Sequence, residues 1–307
     1  MKREHKSRPG PSSRSKTSRP ARGGRGPGLA RPGAPRHPKP RRALRVTPST
    51  TPAPAVEDGK IRINRFLAAS GICSRRTADQ YVAGGRVAVN GKVVRELGLR
   101  IDPKADDVRV DGVQIERERP VYVLFNKPEG VICTNARQEH RQRVIDFLPH
   151  VRGRVYTVGR LDADSEGLIL LTNDGDFALK MMHPRYGVPK TYAVMLRGSL
   201  GKEDLEKARG GVWLSEGKTS NFQMHVEHRD RDKTYLKVTI REGKNREVRR
   251  VFAKLGFPVT SLKRIRIGRL TLHGLSGGKS RFLTRAEVEE LLSDAMSETL
   301  PREEANS

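Results

Sequence analysis

The spacing of apolar residues changes several times along this chain, and each change predicts a different element. From residue 60, Ile63, Phe66 and Leu67 recur at helical spacing. Gly71 supplies a stop. Ser74 is suited to cap a second helix running through Tyr81 and Val82, which Gly84-Gly85 then ends. The next run, RVAVNGKVV, alternates apolar and polar residues around Asn90-Gly91, a strong hairpin signal. DDVRVDGVQI adds a short strand with a turn at Asp111-Gly112. The pattern predicts a small helix–helix–β unit.

From Pro120 onward the pattern becomes richer in strands. VYVLFNKPEGVI reads as a strand, a turn at Lys127-Pro128-Glu129-Gly130 and a return strand. VRGRVYTVGRLD is a further strand candidate. GLILLTND is apolar at consecutive positions and suits a strand buried on both faces. DFALKMMHP has helical spacing and stops at Pro184. KTYAVMLRG and TYLKVTIREG alternate like strands, and KEDLEKARGGV is a polar helix. In NREVRRVFAKLGFPV, Val248, Val251, Phe252 and Leu255 form one helical stripe, while Arg246, Arg249 and Arg250 form another. SLKRIRIGRL is a basic strand. Strands outnumber helices without regular alternation, so the expected class is α+β with a mixed, largely antiparallel sheet.

Residues 1–59 lack this patterning. They are rich in Pro, Gly, Ser and Arg, with 15 Lys/Arg against 3 Asp/Glu and few large apolar residues. Such a segment cannot bury enough surface to offset its ordering entropy, and it reads as a disordered basic arm. The whole chain of 307 residues carries a net charge of +26, and the part after the arm is itself basic. A polyanionic partner is expected, nucleic acid before anionic membrane. No apolar run is long enough for a spanning helix, and no secretory signal is visible, so a cytoplasmic protein is expected. Two cysteines, Cys73 and Cys133, make neither a disulfide framework nor a Cys-rich zinc site.

Against this positive charge, GRLDADSEGLILLTNDG places Asp162, Asp164 and Glu166 within five residues. The spacing imitates a calcium loop, but Asn173 stands where that loop needs its last Glu. GGKS at 277–280 likewise imitates the end of a P-loop without the earlier glycine, since position 273 is His. On an extended segment Arg160 and Asp162 would face the same side, where an arginine favours the ionised carboxylate. Surface and turn roles for all three acids remain open from the residues alone.

Several blocks carry a resemblance. INRFLAASGICSRRTADQYVAGGRVAVNGKVV is similar to the S4-type RNA-binding domain. GRLDADSEGLILLTNDG resembles the catalytic signature of the pseudouridine synthases, with Ser165 where Thr is commoner. NKPEGVICT, KTYAV and REGKNREVRRVFAKLGFPVTSLKRIRIG resemble that family's other blocks, in the same order. Together they cover about residues 60–290.

The resemblance implies a pseudouridine synthase fold behind an S4-type domain. The expected divisions are an arm over 1–59, the RNA-binding domain over 60–117, the catalytic domain over 118–291 and a loose tail over 292–307. It implies isomerisation of uridine in ribosomal RNA, large-subunit RNA in preference to small-subunit RNA, without cofactor or metal. A non-catalytic RNA-binding assembly factor on the same fold is the alternative. Asp162 is the implied nucleophile, with Arg249 as its ion-pair partner, Arg160 in support and Tyr192 stacking on the flipped base. RNA contacts are expected from Arg75, Arg76, Lys127, Lys190, Arg246 and Arg250. Ribosomal RNA is the expected partner, within assembly intermediates, for a monomer with no membrane association.

Overall fold

The computed structural model describes residues 59–136, 140–219 and 222–297. The arm expected over 1–59 lies outside them except for Gly59, as do residues 298–307. Among the described residues no helix is long and apolar enough to cross a membrane.

The first part follows its sequence closely. It begins with the two-residue strand β1 (Ile61–Arg62) and helix α1 (Ile63–Ala69), which buries Ile63, Phe66 and Leu67. Ser74 caps α2 (Arg75–Ala83), its hydroxyl accepting from Thr77 N–H at 3.1 Å. Strands β2 (Val87–Val89) and β3 (Lys92–Val94) pair across Asn90 and Gly91. Both turn residues have positive φ, 51° and 78°, as a type I′ hairpin requires. Strand β4 (Arg100–Ile101) pairs with β1, while β5 (Val108–Val110) lies beside β2 and turns through Asp111-Gly112 into β6 (Val113–Gln114). Ala78, Val82, Val87, Ile101 and Val108 join the α1 side chains in a separate small core.

The second part is built on a nine-stranded sheet. Its strands are β7 (Tyr122–Lys127), β8 (Tyr156–Val158), β9 (Glu166–Thr172), β10 (Lys190–Arg197), β13 (Gln223–Arg229), β14 (Lys233–Ile240), β15 (Val259–Ile267), β16 (Leu270–Thr271) and β17 (Ser280–Phe282). A separate hairpin, β11 (Trp213–Leu214) with β12 (Gly217–Lys218), lies outside the sheet. The main order is β13-β14-β10-β15-β9-β7-β17, with β16 on β15 and β8 on β9. Every pairing in this sheet is antiparallel except β9 with β15. This is a mixed, largely antiparallel α+β fold, in agreement with the class read from the pattern.

Helices cover both faces. On one, α4 (Lys202–Arg209) contributes Leu205 and Ala208, and α5 (Glu247–Lys254) contributes Val248, Val251 and Phe252. On the other, α3 (Gly175–Met182) contributes Phe177, Ala178 and Met181, and α6 (Arg285–Ser297) contributes Val288, Leu291 and Ala295. Strand β9 explains its unbroken apolar run. Ile169 and Leu171 enter the first core, and Leu168 and Leu170 the second.

Two expectations need correction. Among the described residues no return strand follows the Lys127–Gly130 turn, and an isolated bridge joins Ile132 to Arg143. Strand β7 instead pairs with β9 and β17. The expected tail from 292 is helical as far as Ser297, because α6 buries Ala295 completely against the sheet. Its acidic composition conceals an apolar stripe one residue in three or four.

The Thr-Asn-Asp-Gly end of the acidic motif is architectural. Asn173 accepts from Val121 N–H at 2.8 Å and donates to the Arg119 carbonyl at 3.0 Å, clamping the segment that leads into β7. Asp174 caps α3 through the Asp176 and Phe177 N–H groups.

Candidate active site

Asp162 sits in the turn that enters β9, half-buried at the edge of a cavity of about 600 Å³. Tyr192, Arg264, Lys190, Arg246 and Arg160 also line this cavity. The turn is closed by Ser165 N–H donating to the Asp162 carbonyl at 3.1 Å.

What holds this turn is contributed by two distant sequence blocks. From the NKPEG side, the Lys127 ammonium donates to the Ser165 carbonyl at 2.6 Å, the Pro128 carbonyl at 3.0 Å and the Ala163 carbonyl at 3.4 Å. Gly130 N–H donates to the Ala163 carbonyl at 2.8 Å. From the α5 side, Arg249 donates to the Asp164 carbonyl at 2.6 Å and the Val259 carbonyl at 3.1 Å. Charged donors on three successive carbonyls fix the backbone beside Asp162, and such bonds are stronger than neutral ones.

Gly167 completes the arrangement where β9 meets β15. A Cβ there would lie 2.2 Å from the Arg264 carbonyl oxygen, and φ is +104°. Only glycine lets the two parallel strands approach this closely.

The expected ion pair between Arg249 and Asp162 is made by Arg246 instead, at 3.2 Å from the Asp162 carboxylate. The reason is local backbone. Arg246 is the N-cap residue of α5 in a left-handed conformation, φ 47°, which lies outside the helical stripe predicted for it. Its guanidinium also grips Asp164 with bonds of 2.9 and 3.2 Å. That contact, foremost, holds the Asp164 carboxyl below its ordinary range, with Arg249 adding to it. Asp164 therefore orients Arg246 toward Asp162 rather than merely facing water. Glu166 pairs with Lys263 at 3.4 Å.

Lys127, expected to contact RNA, is held inside the fold, whereas Lys190 is half-buried in the cavity wall. Lys127 is fully buried, and burial pulls its ammonium below the ordinary lysine value. Lys190 donates to the Val188 carbonyl at 3.0 Å, and burial, followed by the nearby Arg264, lowers it to about 8. Arg250 is tied to Glu216 and to the Ser215 hydroxyl. Arg160 stands exposed on the cavity wall. Arg75 and Arg76 are exposed at the start of α2.

Arg264 is a site residue that the sequence reading passed over. It is buried opposite Tyr192 in the β10–β15 register. Its Nε donates to the Leu168 carbonyl at 2.6 Å and its Nη1 to the Tyr192 hydroxyl at 3.4 Å. Nη2 is buried with no hydrogen-bond partner among the described residues. The available signal was parity: Arg264 lies two residues from the buried Leu262 on one strand.

A turn-borne carboxylate held beside arginine, at the mouth of a cavity with a buried tyrosine, suits chemistry on a nucleotide drawn out of its stack. Comparison with known proteins identifies the class. The sequence profile described as RNA pseudouridylate synthase matches residues 121–254, and that of the S4 domain matches residues 57–107. A Bacillus subtilis (strain 168) protein named ribosomal large subunit pseudouridine synthase B is 44% identical over 232 residues, 75% of this chain and 95% of its own. A Pseudomonas aeruginosa protein of the same name is 39% identical over 239 residues, 75% of this chain and 61% of its own. A solved structure described as pseudouridylate synthase superposes with a TM-score of 0.55 at 28% identity, covering 75% of this chain and 99% of that one. The chain belongs to the RNA pseudouridylate synthase family, with an S4 domain ahead of the catalytic part.

Proposed function

We propose that this pseudouridine synthase acts on ribosomal RNA, and on large-subunit RNA in preference to small-subunit RNA. The observation that carries the chemistry is Asp162 at the mouth of the cavity, with Arg246 3.2 Å away and Tyr192 in the wall. The names of the Bacillus and Pseudomonas relatives support the choice of RNA.

In the reaction the N1–C1′ bond breaks, the uracil turns within the cavity, and C5 bonds to C1′. N1 gains a proton and C5 loses one, so no electrons are exchanged. Asp162 is the reacting carboxylate, serving as nucleophile at C1′ or as base in a glycal-type elimination. Either route works through its carboxylate oxygens, against which the Arg246 guanidinium lies at 3.2 Å. Tyr192 stacks against the extruded uracil, with Arg264 fixing its hydroxyl. Extruding a base costs a few kcal/mol, offset by phosphate contacts from Arg75, Arg76 and the basic catalytic face. We place the enzyme in the cytoplasm, as a monomer on assembling ribosomal particles.

Mapping pseudouridines in a strain lacking the gene tests the substrate. One or more positions in large-subunit RNA are expected to revert to uridine and to be restored by the wild-type gene. Loss confined to small-subunit RNA would contradict the proposal.

A further inference from the structure

We propose that Trp213 is a stacking platform for an unpaired base of the RNA, outside the cavity that takes the reacting uridine. The proposal rests on the RNA-directed reading above. Trp213 is the chain's single tryptophan, in a sequence with only 5% aromatic residues, and it is 66% exposed. A lone exposed apolar side chain is commonplace. Three features distinguish this one.

First, its direction is set by the strand. Val212 is buried and Leu214 packs on the main core, so alternation turns Trp213 outward. Second, the hairpin is fastened at several points. Lys254 of α5 donates to the Trp213 carbonyl at 2.6 Å, and Lys244 to the Lys218 carbonyl at 2.8 Å. Arg250 holds Glu216 and Ser215 at the tip. Gly211, at φ +81°, passes so close to the Thr219 carbonyl that a Cβ would lie 2.5 Å from it. A ring carried on a fastened backbone loses less freedom when a base stacks on it than one carried on a free loop.

Third, the surroundings suit a nucleotide. Lys218 is the exposed cross-strand partner of Trp213. An aromatic face beside a lysine provides a base contact and a phosphate contact together, the combination that binds unpaired nucleic acid without sequence preference. Lys244, which ties the hairpin down, also lines the catalytic cavity with Arg246. The hairpin therefore stands beside the cavity, where a strand delivering the reacting uridine would continue.

Being the only tryptophan, Trp213 reports on itself. The full-length protein is titrated with unmodified large-subunit ribosomal RNA, and separately with heparin, a polyanion without bases, while tryptophan fluorescence is followed. RNA is expected to quench the emission and heparin to leave it largely unchanged. In steady-state assays Trp213→Ala is expected to raise KM about tenfold or more, the loss typical of one stacked base, with kcat retained. Trp213→Phe keeps a ring and is expected to remain near wild-type KM. Equal quenching by heparin and RNA, no quenching by RNA, or an unchanged KM in a folded Trp213→Ala would each overturn the proposal. The fluorescence arm reads binding without turnover. An inactive wild type would thus contradict the proposed function, while the titration would still decide whether Trp213 stacks on RNA.

Discussion

At the residue scale, charge in this site is used inwardly as much as outwardly. Lys127 shows the difference best. In a chain with 61 Lys and Arg, a lysine beside a turn is expected to face RNA. It is instead fully buried, and its ammonium joins three carbonyls around the Asp162 turn. Nothing in local composition separates the two roles, because the partners in that turn lie some 36 to 38 positions away in the chain. The account predicts that Lys127→Met loses about 1.5–3 kcal/mol of stability in denaturant unfolding, the worth of hydrogen bonds to a charged group. It also predicts a lower kcat with RNA affinity retained. A variant with normal kcat and weakened RNA binding would restore the surface role. Asp162 itself was legible through its motif. Its partner was not, since the left-handed turn at Arg246 takes that residue out of the helical stripe and brings it to the carboxylate.

At the element scale, periodicity foretold most of the secondary structure. The two helices and two hairpins of the S4 part and the doubly buried strand β9 were all visible as patterns. Misreadings arose where tertiary packing decides. The turn after β7 forms no hairpin because its Gly130 N–H goes to the Asp162 loop. Helix α6 hides its stripe among acidic residues. The start of α5 has a pH dependence of its own. Glu247 is 3% exposed, and burial, then the adjacent Glu242, pushes its carboxyl up to about 8. Between the ordinary glutamate value near 4.3 and that value, the folded protein keeps a proton that the unfolded chain has released. Stability attributable to this group therefore falls as pH rises across that window, by up to about 1.4 kcal/mol per pH unit. Glu247→Gln removes the dependence. Denaturant unfolding of both proteins from about pH 5 to 8 is expected to show the glutamine variant gaining steadily on wild type. Parallel curves would contradict the assignment.

At the scale of the whole molecule, catalysis and attraction are divided. The nine-stranded sheet brings the NKPEG turn, the acidic loop and α5 together around Asp162, although they are far apart in sequence. In the proposed function, the exposed arginines of α2 and the basic arm are the charge offered to phosphate. The arm lies outside the described residues, and its role is read from composition alone. Deleting residues 1–59 is expected to weaken RNA binding and flatten the dependence of log affinity on log salt, by about 0.7–0.9 for each phosphate no longer neutralised. An unchanged slope would remove the arm from the binding account. The central claim is that one carboxylate performs the isomerisation. Its most direct measurement is tritium release from ribosomal RNA labelled at uridine C5, comparing wild type with Asp162→Ala. The account predicts release with wild type and none above background with the variant, while the variant still binds RNA. Equal release from the two proteins would contradict it.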